Sequence, residues 1–432
     1  MEKNSFMGLK SKIRKIMPHF LYNALKFIYN LILFFYFSKK QKNIQKRINV
    51  LKRTNRKLKV AFLHMYATDC QNLIVFEKML GSEKFDPYFI VNPDVFRSIE
   101  NFNLQYIKSI DMLRNRYGND RILLGYDLSE KKFNDYSEQF DMMTTNNPYD
   151  HMAHQYFKIS YWGKKGIPIF YISYFYMGRC HVTAENFSQK SFNYIWKIFV
   201  ENESAFAISK KYEILKGKNV VVSGYPKFDS YANLKPDTND KIIIIAPHHS
   251  IETTDTSVGT FLEMEKIYLK LPRLYPEIKF VFRPHPLLFE KLNNIWTQDR
   301  VNDWKTTLLS NENVIFSEEG DYLQLFMNSS ALIHDCGSFT AEYLFTEKPC
   351  AYIHRKIVDM DKTFTEFGKQ CISYHYPINN EEDILKFINK VVIDNNDCLK
   401  DNRKRFAESN VMINYPHSSD FILNYLSENI LG

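Results

Sequence analysis

The sequence predicts an α/β protein with two Rossmann-like domains, each built on a parallel sheet. First, 432 residues are too many for one ordinary hydrophobic core. Second, short apolar runs that suit buried strands alternate with longer amphipathic stretches that suit helices, which is the pattern of repeated βαβ units. Third, polar residues directly follow several of these runs, as in open α/β sheets, which bind ligands at the carboxyl ends of their strands.

The alternation divides the chain into five segments. We expect a basic and aromatic segment at 1–57, a first domain at 58–200, a crossover at 201–235, a second domain at 236–405 and a closing helix within 406–432 that packs back toward the first domain. Strands are predicted at 60–66, 88–91, 121–124, 140–145, 168–172, 206–209, 220–226, 241–246, 279–283, 314–317, 331–335 and 350–353. Helices of the second domain are predicted at about 258–275, 321–329, 338–346 and 382–394.

The first 59 residues are strongly basic, whereas the rest of the chain is acidic. They hold 16 Lys and Arg residues against one acid and so carry +15, although the whole chain carries only +8. The apolar run 20–37 is interrupted by Asn23, Lys26 and Asn30 and falls short of the roughly 20 apolar residues of a spanning helix. We therefore expect an interfacial helix on an anionic membrane surface. A chain that begins near Lys57 is expected to be more soluble and to keep donor binding and transfer to a short soluble acceptor, but to lose activity on membrane-embedded acceptor. A core helix with a solvated basic linker is the alternative.

Composition also limits the partners and the redox setting. The acidic body argues against a nucleic-acid-binding surface. The six cysteines are scattered without a CxxC pair, which is typical of reduced thiols in the cytosol. No spacing of His and Cys residues typical of a metal site stands out, so neither a metal nor a cofactor is expected.

Three polar segments follow predicted strands of the second domain. They are 246–250 (Ala-Pro-His-His-Ser), 283–286 (Arg-Pro-His-Pro) and 335–342 (Asp-Cys-Gly-Ser-Phe-Thr-Ala-Glu). Polar residues just past strand ends lie in the crevice where such a sheet binds its ligand. The third segment adds a glycine and two hydroxyls where a helix should begin, which suits phosphate. The sequence therefore predicts a site for an activated phosphate donor.

Arg283 and His285 are the residues of the second segment that suit a phosphate. A guanidinium can form two parallel hydrogen bonds to phosphate oxygens, and a histidine can donate one hydrogen bond or protonate a leaving oxygen. A structural turn with a surface histidine is the alternative. In the first segment, His248 and His249 are adjacent, so at most one of them, His248 by preference, is expected to face the site.

The third segment is expected to hold a diphosphate and a ribose. Gly337, Ser338 and Thr340 lie at or near a helix start, where backbone N–H groups point outward. Glu342 can accept hydrogen bonds from ribose hydroxyls, as the acid of a dinucleotide-binding fold does. A capped helix with a glutamate in its first turn would give the same pattern without a ligand.

Together with 224–229 (Gly-Tyr-Pro-Lys-Phe-Asp), these segments resemble the CDP-glycerol glycerophosphotransferases of teichoic-acid and capsule synthesis, which have the GT-B fold. That family shows Gly-Tyr-Pro-Arg-x-Asp, where this chain has Lys227 for the arginine. It shows Lys-Pro-His-Pro, where this chain has Arg283 for the lysine and retains the histidine as His285. The resemblance covers about 200–430.

Two other family segments are matched in part. Where the family shows Ala-Pro-Thr-Trp-Arg, this chain has His248, His249 and Ser250 in the last three places. Where it shows Asp-Tyr-Ser-Ser-x-x-Phe-Asp, Asp335, Ser338 and Glu342 fit, while Cys336 and Gly337 depart.

The resemblance implies a GT-B-like enzyme that transfers a glycerol-phosphate or related polyol-phosphate unit from a CDP-activated donor to a surface glycan. The acceptor would be a lipid-linked glycan or an oligosaccharide, and the enzyme would sit peripherally on the cytoplasmic face of the bacterial inner membrane. The expected donor-binding residues are Tyr225, Pro247, His248, Arg283, His285, Gly337, Ser338, Thr340 and Glu342.

The first domain departs from the family. The family has a Trp-His-Gly-Thr segment whose histidine is the expected catalytic base, whereas the corresponding strand end here, 171–178, reads Tyr-Ile-Ser-Tyr-Phe-Tyr-Met-Gly. The base therefore cannot be carried over. His154, His181, Asp69 and Asp150 are candidates by position alone, and Asp150 joins His285 and His248 as our catalytic candidates.

Two other functions also fit the sequence. A GT-B glycosyltransferase that uses a CMP- or UDP-sugar would show similar His-Pro and Ser segments. A catalytically silent scaffold of a polysaccharide-synthesis complex would explain the missing histidine segment.

Overall fold

The computed structural model describes residues 19–67, 70–318 and 322–431. The strands are β1 Leu58–His64, β2 Phe85–Val91, β3 Ile122–Leu124, β4 Tyr126–Asp127, β5 Lys132–Phe133, β6 Met142–Thr145, β7 Phe170–Ile172, β8 Lys197–Val200, β9 Val220–Val222, β10 Ile242–Ala246, β11 Lys279–Phe282, β12 Val314–Phe316, β13 Ala331–His334, β14 Cys350–Ile353 and β15 Tyr376–Ile378. Residues 1–18 of the basic segment and the candidate base Asp69 lie outside the described residues.

The α-helices precede, connect and follow these strands. They are α1 His19–Leu51, α2 Gln71–Leu80, α3 Ile99–Tyr117, α4 Ile159–Lys164, α5 Cys180–Ser188, α6 Glu203–Tyr212, α7 Phe261–Leu274, α8 Leu288–Leu292, α9 Gln298–Leu309, α10 Leu323–Asn328, α11 Phe339–Glu342, α12 Met360–Thr363, α13 Glu366–Ser373, α14 Glu381–Lys386, α15 Lys400–Phe406 and α16 Ser418–Leu431.

The first domain is built on parallel strands in two connected groups. Strands β3, β2, β1 and β6 form one sheet, and β7, β8 and β9 form another. A parallel bridge between Met143 and Ile169 links the two groups. Alternate residues of β1 face opposite cores: Val60 and Phe62 pack in one hydrophobic cluster, whereas Ala61 and Leu63 pack in another. Both faces are therefore covered, as expected for a parallel sheet.

The second domain has one six-stranded parallel sheet in the order β12-β11-β10-β13-β14-β15. Numbered within the domain, this order is 3-2-1-4-5-6, the order of the dinucleotide-binding fold. The chain reverses its direction of winding between β10 and β13. Ile243 and Ile245 pack on one face of β10, and Ile242 and Ile244 pack on the other.

The two α/β domains predicted from the sequence are confirmed, but one local prediction is wrong. Residues 206–209, predicted as a strand, lie in α6. Asn202 caps this helix because its side chain accepts a hydrogen bond from the N–H of Ala205 at 3.0 Å, and Glu203 supplies an acid in the first turn. The strand that pairs with β7 is β8, immediately before this cap. It was not predicted, and neither was β15.

The N-terminal helix α1 has a buried half and an exposed half. Ile44, Ile48 and Leu51 are buried against the first domain, together with residues of β1. Earlier in the helix, Phe20 and Phe27 are 74% and 68% exposed. A chain that begins near Lys57 would lose these buried side chains from the core, which argues against the expectation that such a chain keeps donor binding and transfer to a soluble acceptor.

Helix α1 is also longer than the sequence suggested. It continues without a break past Phe37, and the stretch Phe20–Leu51 is long and apolar enough to cross a membrane by length and composition. The expectation that the segment falls short of a spanning helix is therefore wrong on those two criteria. Its polar residues Asn23, Lys26 and Asn30 follow an i, i+3, i+7 spacing and lie along one side of the helix.

The closing helix α16 packs back on the first domain, as predicted. Its residues Ile422, Leu426 and Ile430 are buried in the same cluster as β1. Its start is held by Asp229 of the crossover: Oδ1 accepts from the N–H of Ser418 at 3.1 Å, and Oδ2 accepts from the N–H of Ser419 at 2.6 Å. A carboxylate distant in the sequence therefore satisfies these N–H groups.

We predict that Asp229→Ala lowers the free energy of unfolding by about 1–2 kcal/mol, because two buried N–H groups at a helix start lose their acceptor. The shift in denaturant midpoint measures this loss. Asp303→Ala, which removes an exposed carboxylate from α9, is the matched control. Equal midpoints for the two variants would contradict the capping role.

Candidate functional site

The second sheet brings the three polar segments together at its carboxyl edge. They follow β10, β11 and β13, and β10 pairs with both of the other strands. A cavity of about 200 Å³ opens between them. Its lining includes Pro247, Arg283, His285 and Ser338 from the predicted set, with Tyr322 from another loop. This is the place where the strand order reverses and where open α/β sheets bind ligands.

Asp335 fixes the relative positions of two of these segments. Its side chain is fully buried, and Oδ1 accepts from the N–H of His248 at 2.6 Å. Oδ2 accepts from the N–H and the hydroxyl of Thr260 at 2.6 and 2.7 Å. Burial raises the pKa of Asp335 to about 6, although the hydrogen bonds oppose that shift. The carboxylate thereby ties the loop after β10 to the loop after β13.

Three histidine rings lie together beside the cavity. The ring centres of His249 and His285 are 3.9 Å apart, those of His248 and His249 are 4.2 Å apart, and those of His248 and His285 are 5.3 Å apart. Of the three, His285 lines the cavity itself, so the expectation that at most one of the adjacent histidines faces the site stays a prediction. The turn from 248 to 250 folds back on itself, because Nδ1 of His248 accepts from the N–H of Ser250 at 3.2 Å.

Hydrogen bonds set the tautomers of two of these rings. The backbone N–H of Leu287 donates to Nδ1 of His285 at 3.1 Å, as that of Ser250 does to His248. A neutral ring that accepts at Nδ1 carries its hydrogen on Nε2. Burial lowers the pKa of His285 to about 4 and that of His249 to about 3, and it also lowers the pKa of His248. His248 and His285 are therefore neutral rings with an Nε2–H donor.

These donors suit an anion better than a metal ion. Ligand nitrogens of the three histidines lie within 4.8 Å of one another, a spacing that could hold a metal. A metal-bound imidazole normally donates from its other nitrogen. In His248 and His285 that other nitrogen accepts from the backbone, so metal binding would require both hydrogen bonds to break. Phosphate oxygens, by contrast, accept directly from Nε2–H groups.

A group of charged and aromatic side chains lies on the other side of the cavity. Arg283 donates to the hydroxyl of Ser317 at 2.7 Å, and its guanidinium lies 5.8 Å from the ring centre of Tyr322. The ammonium of Lys227 lies 4.0 Å from the same ring. The Tyr322 hydroxyl donates to Glu342, whose pKa is raised by burial. Two cations therefore flank the Tyr322 ring at the edge of the cavity.

Five of the predicted donor residues do not line the cavity, namely Tyr225, His248, Gly337, Thr340 and Glu342. Thr340 is buried, and its hydroxyl donates to the carbonyl of Gly337 at 2.6 Å, within its own turn. Glu342 is 3% exposed, and Tyr225 donates to the carbonyl of Tyr174 at 2.9 Å. The predicted helix at 338–346 is a short α11 followed by a 3₁₀ turn. These residues shape the wall of the site.

The positional candidates for a catalytic base have other partners in the first domain. The carboxylate of Asp150 accepts from the N–H groups of Ile159 and Ser160 at 2.6 and 3.2 Å, at the start of α4. The His154 ring stacks on Phe133 at 3.7 Å between centres. His181 is exposed in the first turn of α5. Asp150 therefore occupies a structural position, which its place after a strand could not reveal.

Arg179 is a residue near the site that the sequence did not single out. It comes from the first domain, yet its guanidinium donates to the carbonyl of Thr256 in the second domain at 2.7 Å. Its aliphatic part packs on Gly337, where a Cβ would lie 2.6 Å from Cδ of Arg179. Burial lowers its pKa, and no carboxylate within the described residues forms an ion pair with it. Its place in the loop between β7 and α5, directly after Gly178, was the only signal in the sequence.

The segments that form this site also define a family. A family model described as CDP-Glycerol:Poly(glycerophosphate) glycerophosphotransferase matches residues 177–408, just over half of the chain. The chain belongs to this family. The match covers the cavity residues, all three histidines and Arg179, so the resemblance predicted from the polar segments is confirmed. No curated protein sequence matches the chain.

Solved structures share the fold at low sequence identity. MnaA of S. aureus with UDP matches at TM-score 0.55 and 14% identity, covering 87% of this chain and 98% of that chain. The wall teichoic acid polymerase TagF with CDPG matches at TM-score 0.53 and 12% identity, covering 93% and 98%. UDP-GlcNAc 2-epimerase of Neisseria meningitidis matches at TM-score 0.51 and 15% identity, covering 86% and 100%. These likenesses confirm the GT-B-like fold of the family member.

We predict that the rings of His249 and His285 stay neutral in the folded protein down to about pH 5, because burial lowers their pKa from the ordinary value near 6.5. The unfolded chain takes up these protons as the pH falls below 6.5, so the free energy of unfolding should decrease with acidification. Ring NMR shifts, assigned with single His→Gln variants, follow both effects. A ring midpoint between pH 6 and 7, or hydrogen on Nδ1 of His285, would contradict this assignment.

Proposed function

We propose that this family member transfers a glycerol-phosphate or related polyol-phosphate unit from a CDP-activated donor to a surface-glycan acceptor. The observation that carries the proposal is the cavity at the strand-order reversal, where Arg283 and the Nε2–H donor of His285 converge. The family describes the same chemistry: a glycerophosphate unit linked to CDP. No metal or other cofactor is part of this proposal.

The transfer breaks and forms one phosphorus–oxygen bond. An acceptor hydroxyl attacks the phosphorus that carries the polyol, and the bond from that phosphorus to the bridging oxygen breaks, releasing CMP. Negative charge grows on the leaving phosphate, where Arg283 and the Nε2–H donor of His285 can stabilise it. The hydroxyl proton must pass to a base, for which we assign no residue.

The cavity also favours a donor that carries a diphosphate over one that carries a single phosphate. Arg283 and His285 lie on one strand end, and Ser338 lies across the cavity on another. Backbone groups and side chains on two loops can thus contact successive phosphates. Asp335 holds the loop after β13 to the loop after β10, and the N–H of His285 donates to the carbonyl of Pro247 in that same loop at 3.0 Å. We place the ribose toward Glu342 and Tyr322, which the donor would have to separate in order to bind.

A donor panel tests the reaction. We expect CMP release from CDP-glycerol in the presence of acceptor, and little nucleotide release from a CMP-sugar or a UDP-sugar. The rate with CDP-glycerol should be the same with and without EDTA, because protein cations neutralise the leaving group. Turnover of a sugar nucleotide instead would favour the glycosyltransferase alternative. Nucleotide binding without turnover of any donor would favour the scaffold. A rate that collapses in EDTA would show that a metal is required.

We predict that His285→Ala lowers kcat/KM for the donor by about 10²-fold or more, because the leaving phosphate loses a hydrogen-bond donor. His417→Ala is the matched control, since His417 is exposed at the start of α16. Both variants should unfold at similar temperatures. Near wild-type turnover in His285→Ala would remove this residue from the mechanism.

We also propose that the enzyme binds an anionic membrane peripherally at the cytoplasmic face, through the exposed half of α1. A variant that begins at Tyr36 keeps the buried half of the helix, so it should fold and transfer to a short soluble acceptor at the wild-type rate. It should lose activity on membrane-embedded acceptor. Flotation with anionic liposomes measures attachment. A full-length protein that does not float with them at low salt, or that resists extraction by high salt and alkali, would contradict peripheral attachment.

A further inference from the structure

A second cavity lies on the first domain, where α1 changes from exposed to buried. It measures about 260 Å³. Ser38, Gln41 and Gln45 line it from α1, and their spacing of three and four residues places them on one face of the helix. Trp196, Lys197 and Lys218 line it from the domain. None of these residues belongs to the donor site, so the cavity needs a separate explanation.

The charge of this cavity is entirely positive. Lys197 and Lys218 line it, and none of the described lining residues is acidic. The ammonium of Lys218 lies 4.8 Å from the ring centre of Phe34, in the exposed stretch of α1. Farther along that stretch, Lys190 donates to the hydroxyl of Tyr29. Cations of the domain therefore lie beside the apolar residues of the helix, which is where lysines meet lipid phosphates at a membrane surface.

The walls of the cavity are fixed by hydrogen bonds. Nε2 of Gln41 donates to the carbonyls of Asn193 and Ile195 at 3.1 and 2.8 Å, which ties the helix to the domain. Asn219 also lines the cavity and donates from Nδ2 to the carbonyl of Ile195 at 2.9 Å. It is 3% exposed, and its side chain also contacts the buried carboxyl of Glu213, whose pKa burial raises to about 7. These contacts hold the inner wall of the cavity in place.

We propose that this cavity binds the headgroup of an anionic membrane lipid. The phosphodiester lies against Lys197 and Lys218, the head alcohol lies toward the glutamines of α1, and the acyl chains leave along the exposed rings near Phe34. This inference rests on the membrane attachment in the proposed function, and it adds a defined headgroup site to a surface of exposed apolar residues. A bound headgroup would fix both the depth and the rotation of the enzyme at the membrane.

The test uses the full-length protein and monomeric dihexanoyl-phosphatidylglycerol below its micelle concentration. Trp196, which is 4% exposed and lines the cavity, should report binding as a saturable change in fluorescence that Trp196→Phe abolishes. The double variant K197Q/K218Q should bind about tenfold or more weakly, because two cations near the phosphate are lost. K390Q/K400Q removes the same charge from exposed positions of the second domain and should bind like the wild type.

Three results would overturn the inference: no saturable change, wild-type affinity in K197Q/K218Q, or the same saturation with inorganic phosphate, which would show a simple anion site. Transfer to a soluble acceptor, measured in parallel, should be unchanged in both double variants. Lipid binding without any donor turnover would refute the proposed reaction and leave the headgroup site standing. Donor turnover without lipid binding would refute the headgroup site and leave the proposed reaction standing.

Discussion

The donor-facing edge of this protein depends on one buried carboxylate. Asp335 follows β13, at the centre of the sheet, and accepts three hydrogen bonds from the segment that follows β10. Removing a carboxylate from water is costly, and that cost is visible in a pKa of about 6. The chain retains the group because those three donors would otherwise be buried without an acceptor. This hydrogen bonding fixes the backbone of His248 without the help of a ligand.

The same edge is also held from the first domain. The carbonyl of Gly178 accepts from the N–H of Thr365 at 2.8 Å, which joins the two domains through their backbones. This approach is too close for a side chain: a Cβ on Gly368 would lie 2.3 Å from the oxygen of Gly178. Arg179 follows directly and brings a cation with no carboxylate partner in the described residues to the loop that carries Gly337. The family histidine is missing from this strand end, but the strand end still contributes to the site.

Sequence patterns predicted most of this architecture, because strands and their polar ends are local features. The apolar run at β10 and the Arg-Pro-His-Pro after β11 are each legible within a few residues. The failures involve contacts between distant residues. Asp229 caps a helix that begins 189 residues later, which no window of sequence reveals. The ring of His249 lies against His285 because a hydrogen bond to Nδ1 of His248 folds the turn. Residues 206–209 form a helix rather than the predicted strand, because the N-cap at Asn202 stabilises a helix start and the short apolar run does not determine the local structure.

The exposed half of α1 constrains how the enzyme can meet a membrane. From residue 20 to 35 the helix is about 24 Å long at 1.5 Å per residue, shorter than the roughly 30 Å hydrocarbon core of a bilayer. Crossing would also place Lys26 within the hydrocarbon, at a cost of about 2.5–3.5 kcal/mol. Lying in the interface avoids that cost, because Asn23, Lys26 and Asn30 share one side of the helix and can face the headgroups. The whole helix is long and apolar enough to cross a membrane, but its exposed part is shorter than the hydrocarbon core and carries Lys26, which favours the interfacial placement.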